Sequence, residues 1–126
     1  MNRIRRRALA RGWALALAAA FGSVRAAPAQ AEARKIESLI HYVESQPEIR
    51  FVRNGSVYTA LQAGRFLRGK LQAMGDGVST ARQFIDQIAT KSSTSGKPYT
   101  VTWSDGRSVP AAQFLGDELA RIERGS

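Results

Sequence analysis

The sequence predicts a single α+β domain in which about four helices pack on two short antiparallel β-hairpins, in the order α-ββ-α-α-ββ-α. Three observations predict it. Asn54-Gly55 and Asp105-Gly106 each sit between β-prone runs and mark hairpins, Asn-Gly most strongly because both central positions of a type I′ turn need positive φ. Apolar residues recur at helical spacing in the stretches before, between and after those runs. Two of the helical stretches open on Thr-x-x-Gln, at Thr59 with Gln62 and at Thr80 with Gln83, the capping-box pattern that satisfies backbone donors at a helix start.

Taken in order, Ile36, Leu39, Ile40 and Val43 follow the i, i+3, i+4, i+7 spacing of an amphipathic helix over residues 34–46. Pro47 closes it, because the residue before a proline avoids helical dihedrals. In "IRFVRNGSVYT", a two-residue Asn-Gly loop pairs Phe51 with Tyr58 and Val52 with Val57. Both faces of that hairpin then carry apolar groups, which predicts helices over at least one of them. The next helix runs from Ala60 to Met74 with Ala63, Phe66, Leu67 and Leu71 inward, and Gly75 ends it in the usual C-terminal manner. Thr80 opens a third helix extending to about Lys91 and burying Phe84, Ile85 and Ile88. "YTVTW" alternates Tyr99, Val101 and Trp103 against Thr100 and Thr102, a half-buried strand, with a return strand over residues 107–109. Pro110 suits the first turn of a last helix, where its missing N–H costs nothing; Phe114, Leu115, Leu119 and Ile122 give that helix its apolar face.

The chain opens with an arginine-rich start, an apolar run over residues 13–21 and a small-residue stretch, the layout of a secretory signal peptide. The run is too short for a membrane-spanning helix. Cleavage fits after Ala26, Ala29 or Ala31, and the last is favoured, which makes 1–31 a leader and 32–126 one domain. The full chain carries 19 Lys and Arg against 10 Asp and Glu. Six of those arginines and no acid lie in the leader, leaving 13 against 10, or +3, on the domain. A nucleic-acid surface needs basic residues clustered on the folded part, so this charge excludes that class of partner. With no cysteine in the chain, an exported domain must rest on packing alone.

The stretch "KSSTSGKPYT" at 91–100 is where chemistry could concentrate. It is no P-loop: G-x-x-x-x-G-K-[ST] requires a glycine where Lys91 stands and a hydroxyl where Pro98 stands. A nucleophilic serine activated by lysine is conceivable, but Lys91 and Lys97 lie at spacings that do not match S-x-x-K on a helix. A turn accounts for every residue type: serines bond local backbone, Gly96 supplies positive φ and Pro98 launches the strand. The number of hydroxyls beside lysine leaves anion contact open. His41, the one histidine, falls on the polar side of its helix, and the acids show no metal-ligand spacing. Arg53 shares a face with Phe51 and Tyr58, where it stacks on rings or pairs with an acid.

"FVRNGSVY", "TARQFI", "ATKSSTSGKPY" and a "DG" before a closing helix, in that order, resemble the YfeK-like family of small exported bacterial proteins carrying a domain of unknown function. The resemblance covers nearly all of residues 35–123. It implies export and a single domain, and it supplies no activity, cofactor or partner.

Together these readings predict an exported periplasmic, non-catalytic binding or interaction module with its leader removed by the Sec route. Contact to a ligand or partner is expected at Arg53, Asn54, Tyr58, Lys91, Ser92, Ser93, Ser95 and Lys97. No catalytic residue, cofactor or metal is expected. The expected partner is an envelope protein or a small anionic ligand, with no nucleic acid and no permanent membrane anchor. The alternative is a small serine hydrolase or cell-wall enzyme using a serine of residues 92–95 with Lys97.

Overall fold

The computed structural model describes residues 29–125; the predicted leader lies almost entirely outside them. Helix α1 spans Gln30–Glu44, strand β1 Ile49–Arg53, β2 Ser56–Thr59, helix α2 Ala60–Met74 and helix α3 Ala81–Gln87. Strands β3, Thr100–Trp103, and β4, Ser108–Pro110, precede helix α4, Ala111–Arg124. The order is the α-ββ-α-α-ββ-α that the sequence predicts.

The first turn acts as expected, whereas in the second only Gly106 takes positive φ (95°) and Trp103 N bonds the Arg107 carbonyl, so the loop is Ser104-Asp105-Gly106 rather than Asp105-Gly106 alone. Asn54 (φ 51°) and Gly55 (φ 80°) both take positive φ, and β1 pairs antiparallel with β2 so that Phe51 faces Tyr58 and Val52 faces Val57. The two hairpins share one sheet. β1 also pairs antiparallel with β3, placing Phe51 opposite Val101 and Val52 opposite Thr100, and the strand order is β2-β1-β3-β4. The period-2 alternation then splits the sheet into two faces. Ile49, Phe51 and Val101 are buried to 1% exposure or less, and α2 lies against β1 and β2 while α4 lies against β3 and β4. The opposite face carries Arg50, Thr59, Ser108 and Val57, all exposed, Val57 at 63%. Helices therefore cover one side of the first hairpin and leave the other to solvent.

Helix α1 bridges the two hairpin-helix units. Its Ile36, Leu39, Ile40 and Val43 are buried, and it touches α2, α3 and α4. Arg68 of α2 donates to Glu37 at 2.7 Å and to Glu44 at 3.1 Å on α1. Gly64 makes that close approach possible, since a Cβ there would run into the Glu44 side chain. Around these helices the core gathers Leu67, Phe84, Ile85, Ile88, Tyr99 and Leu115.

The structure moves the predicted bounds of α1, α3 and the return strand. α1 begins at Gln30 and ends at Glu44, so Gln30 and Ala31, on the leader side of the expected boundary, are helical, with the Ala29 carbonyl accepting from Ala33 N. α3 stops at Gln87 rather than near Lys91. The N–H groups of Ile88 and Ala89 both reach back to the Phe84 carbonyl, and Thr90 Oγ1 bonds the Ile85 carbonyl. That last turn, widened by the five-residue span from Ala89 to Phe84, buries Ile88 and Ala89 and leaves the Thr90 carbonyl to accept from Tyr99 N. The return strand is shifted to Ser108–Pro110, and Pro110 is its last residue and the N-cap of α4 rather than part of the first turn. An edge strand tolerates proline because that side of the ladder needs no donor.

Both capping boxes form. The one on α3 matters more, because a seven-residue helix falls well below the length that is stable alone. Gln83 Oε1 accepts from Ser79 N, Ser79 Oγ and Thr80 N, while Thr80 Oγ1 accepts from Gln83 N. Thr80→Ala is expected to lower stability by about 1 kcal/mol, and Gln83→Ala by more because it strands more donors. Urea unfolding midpoints of the two variants check the ranking.

Glu32 of α1 accepts the N–H of Ala81, the first residue of α3, at 2.9 Å and pairs with Lys35. That backbone hydrogen bond, followed by Lys35, holds its carboxyl below the ordinary 4.5. The hydrogen bond from Arg68 does the same for Glu37. A carboxyl with a lowered folded pKa contributes stability above its unfolded value and loses it as pH falls through the folded value. The melting temperature is therefore expected to fall on acidification below about pH 4.5, with a shallower slope in Glu32→Gln; equal slopes in thermal melts of the two proteins would refute the assignment.

Candidate functional site

The serine-rich loop is built by its own hydroxyls. Lys91 and Pro98 form a bridge at its base, Ser92 N donates to the Lys97 carbonyl and Gly96 N to the Ser92 carbonyl. Ser92 Oγ accepts from the N–H groups of Thr94 and Ser95 and bonds Thr94 Oγ1. Ser95 Oγ accepts from Lys97 N, and Gly96 takes a φ of 75°. Ser92 is buried to 3% exposure. These are the local hydroxyl-to-backbone bonds that make a stable turn.

The loop is fastened to the first hairpin. Because β3 enters the sheet with Thr100 opposite Val52, the residues before it run beside the Asn54-Gly55 tip. Asn54 Nδ2 donates to Ser92 Oγ at 3.1 Å, and Asn54 Oδ1 accepts from Ser95 Oγ. One amide thus engages two hydroxyls of a loop that follows it by some forty positions in sequence.

Between this loop, α2 and the end of β1 lies an open cavity of about 360 Å³, within the usual size range of small-molecule sites. Its charged lining residues are Arg53, Arg65 and Lys70, with no carboxylate among them. Arg53 Nη1 donates to Tyr58 Oη at 2.7 Å, and its guanidinium lies 4.6 Å from the centroid of the Phe66 ring. Arg53 Nε is buried without a hydrogen-bond partner. Lys70 is only 8% exposed, and its Nζ donates to the Lys91 carbonyl at 2.8 Å and to Tyr99 Oη at 2.9 Å. None of the three cations belongs to the ion pairs of the described residues. A buried cation held by neutral groups alone is costly, so the cavity presents positive charge that the protein itself leaves uncompensated.

The residues expected from sequence divide into distinct roles. Arg53, Ser92 and Ser93 line the cavity. Tyr58 orients Arg53, and Asn54 and Ser95 hold the loop. Lys91 contributes its carbonyl to Lys70 while its side chain is exposed. Lys97 is exposed and does not line the cavity. Arg53 stacks on Phe66 rather than on the Phe51 and Tyr58 rings expected for it. Sequence reading missed Arg65, Phe66 as a cavity wall, and Lys70. The signal for Lys70 was present: it stands three residues after Leu67 on the inward stripe of α2, where an apolar residue belongs.

A second cavity, of about 480 Å³, lies between α1 and α4 and includes His41 and Tyr42. Its charges are already matched, Glu118 with Arg121 and Glu37 with Arg68. Among the described residues no His, Cys, Asp and Glu cluster is placed to hold a metal ion, and no helix is long and apolar enough to cross a membrane.

No solved structure matches the chain with significance. An uncharacterised protein, YfeK, of Salmonella typhimurium is 40% identical over 68 residues, 54% of this chain and 57% of that relative. The chain thus matches little more than half of the relative's length. Residues 30–123 match the family of unknown function DUF5329, and the protein is a member of that YfeK-like family.

Proposed function

We propose that this protein is a non-catalytic binding module of the periplasm, exported by the Sec route, that holds a small anionic ligand in the cavity between α2, the tip of the first hairpin and the 91–97 loop. The observation that carries this reading is the cavity's charge: Arg53, Arg65 and Lys70 face it together and no acid does. Arg53 is fixed by Tyr58 and Phe66, and Lys70 by Tyr99 and a backbone carbonyl, so both are ordered before any ligand arrives. Preorganisation of this kind reduces the ordering cost of binding.

A serine hydrolase draws less support. Ser92 Oγ is occupied by Asn54, Thr94 and Ser95, and Ser95 Oγ meets the backbone N–H of Lys97 rather than its ammonium. The leader supports export, and the helical start at Gln30 favours removal after Ala26, which leaves the first turn of α1 whole.

Isothermal titration of the purified protein with a panel of acetate, phenylacetate, sulfate and inorganic phosphate tests the reading. At least one anion is expected to bind and to weaken tenfold or more, about 1.4 kcal/mol, in Arg53→Gln. Lys97→Gln, outside the cavity, is expected to bind as the parent does. Equal loss in both variants would remove the cavity from the explanation. N-terminal sequencing of the periplasmic fraction checks the export arm, with a new terminus expected at Ala27 and an intact Met1 counting against it.

A further inference from the structure

We infer that the anion taken by this cavity is a small organic monocarboxylate carried on an apolar or aromatic body, a conclusion that rests on the anion-binding reading above and narrows it. Three features of the cavity point the same way.

The first is the supply of donors. Phosphate sites in proteins are typically cradled by several convergent backbone N–H groups. The loop beside this cavity has spent most of its own: the N–H groups of Ser92, Thr94, Ser95, Gly96 and Lys97 all bond within the loop. Lys70 has committed two of its three N–H groups, to the Lys91 carbonyl and Tyr99 Oη. Arg53 has committed Nη1 to Tyr58 and buries its Nε, while Arg65 adds a second guanidinium to the lining. The guanidinium and ammonium hydrogens that remain can meet the two oxygens of a single carboxylate. What the site lacks is the ring of convergent backbone N–H groups that a phosphate cradle uses.

The second is the wall. Phe66 and Tyr99 meet edge to face, with ring centroids 5.6 Å apart, and both line the cavity. Met74, 52% exposed, stands at its rim with Ser93 Oγ against its sulfur. An exposed methionine beside aromatic faces is an adaptable surface for apolar groups. A bare oxyanion would use none of it and would leave most of the roughly 360 Å³ to water.

The third is Gly69. It occupies the middle of α2 on the cavity wall, where glycine costs a helix about 0.5–1 kcal/mol relative to alanine. A Cβ at this position meets nothing within 4 Å, so no packing contact within the protein demands the glycine. What the missing side chain provides is open space at the cavity wall.

Gly69 also supplies a variant that adds a side chain at the cavity wall without a clash in the fold. Titrations of acetate, phenylacetate, inorganic phosphate and phenyl phosphate into the parent protein and Gly69→Leu separate the possibilities. Phenylacetate is expected to bind the parent at least tenfold more tightly than acetate and than either phosphate, and to lose tenfold or more in Gly69→Leu, whose melting temperature stays at or above the parent's. Phenyl phosphate binding as tightly as phenylacetate would overturn the carboxylate assignment, and acetate doing so would overturn the apolar body; the anion-binding reading would survive either result. No binding by any anion would overturn that reading along with this inference. Undiminished phenylacetate binding in a folded Gly69→Leu would show that the ligand sits elsewhere.

Discussion

The antiparallel ladder between β1 and β3 is the interaction on which the rest of the molecule depends. Each hairpin alone is a two-stranded unit, marginal in water. With Phe51 opposite Val101, the two become one sheet whose buried residues share a face. A one-residue slip would send Phe51 and Val101 to opposite sides. Because each hairpin leads directly into the helix that lies on it, the shared face also puts α2 and α4 in one layer, and α1 closes that layer by touching both.

The same register sets the candidate site. Pairing Thr100 with Val52 forces the chain before β3 to travel past the end of β1, where Arg53 and the Asn54 turn project. The hydroxyls of the loop then serve two purposes: they satisfy its backbone and offer Asn54 a place to bind. Serines that look like candidate nucleophiles in the linear sequence are consumed in shaping a cavity wall. The positive charge comes from elsewhere, from β1 and from α2.

Lys70 shows the energetic tension in this arrangement. Leu67 one turn earlier is fully buried, and an apolar residue at position 70 would extend the core. The chain instead places an ammonium there, 8% exposed, and provides two neutral oxygens to hold it. Hydrogen bonds offset part of the desolvation of a charge, and an opposite charge would offset more. An anionic ligand of the kind proposed above would supply that charge.

Local signals determined much of this protein without tertiary help. Asn54-Gly55 specified a turn and the Phe51–Tyr58 register, Thr59/Gln62 and Thr80/Gln83 specified where two helices start, and the 3.6-residue spacing of Ile36, Leu39, Ile40 and Val43 identified the buried face of α1. Each rests on contacts between residues a few positions apart, which sequence displays directly. Arg53, Ser92 and Ser93 were legible as candidates by type, and Lys70 only as a break in an apolar stripe. What tertiary structure decided was which of these residues meet: that the hairpins join through β1 and β3, that α3 ends early so Thr90 can bond Tyr99, that Asn54 reaches Ser92 and Ser95, and that Lys70 and Arg53 face one cavity. Those contacts join residues tens of positions apart, and their geometry is set by sheet register and helix packing, which no short stretch of the chain encodes alone.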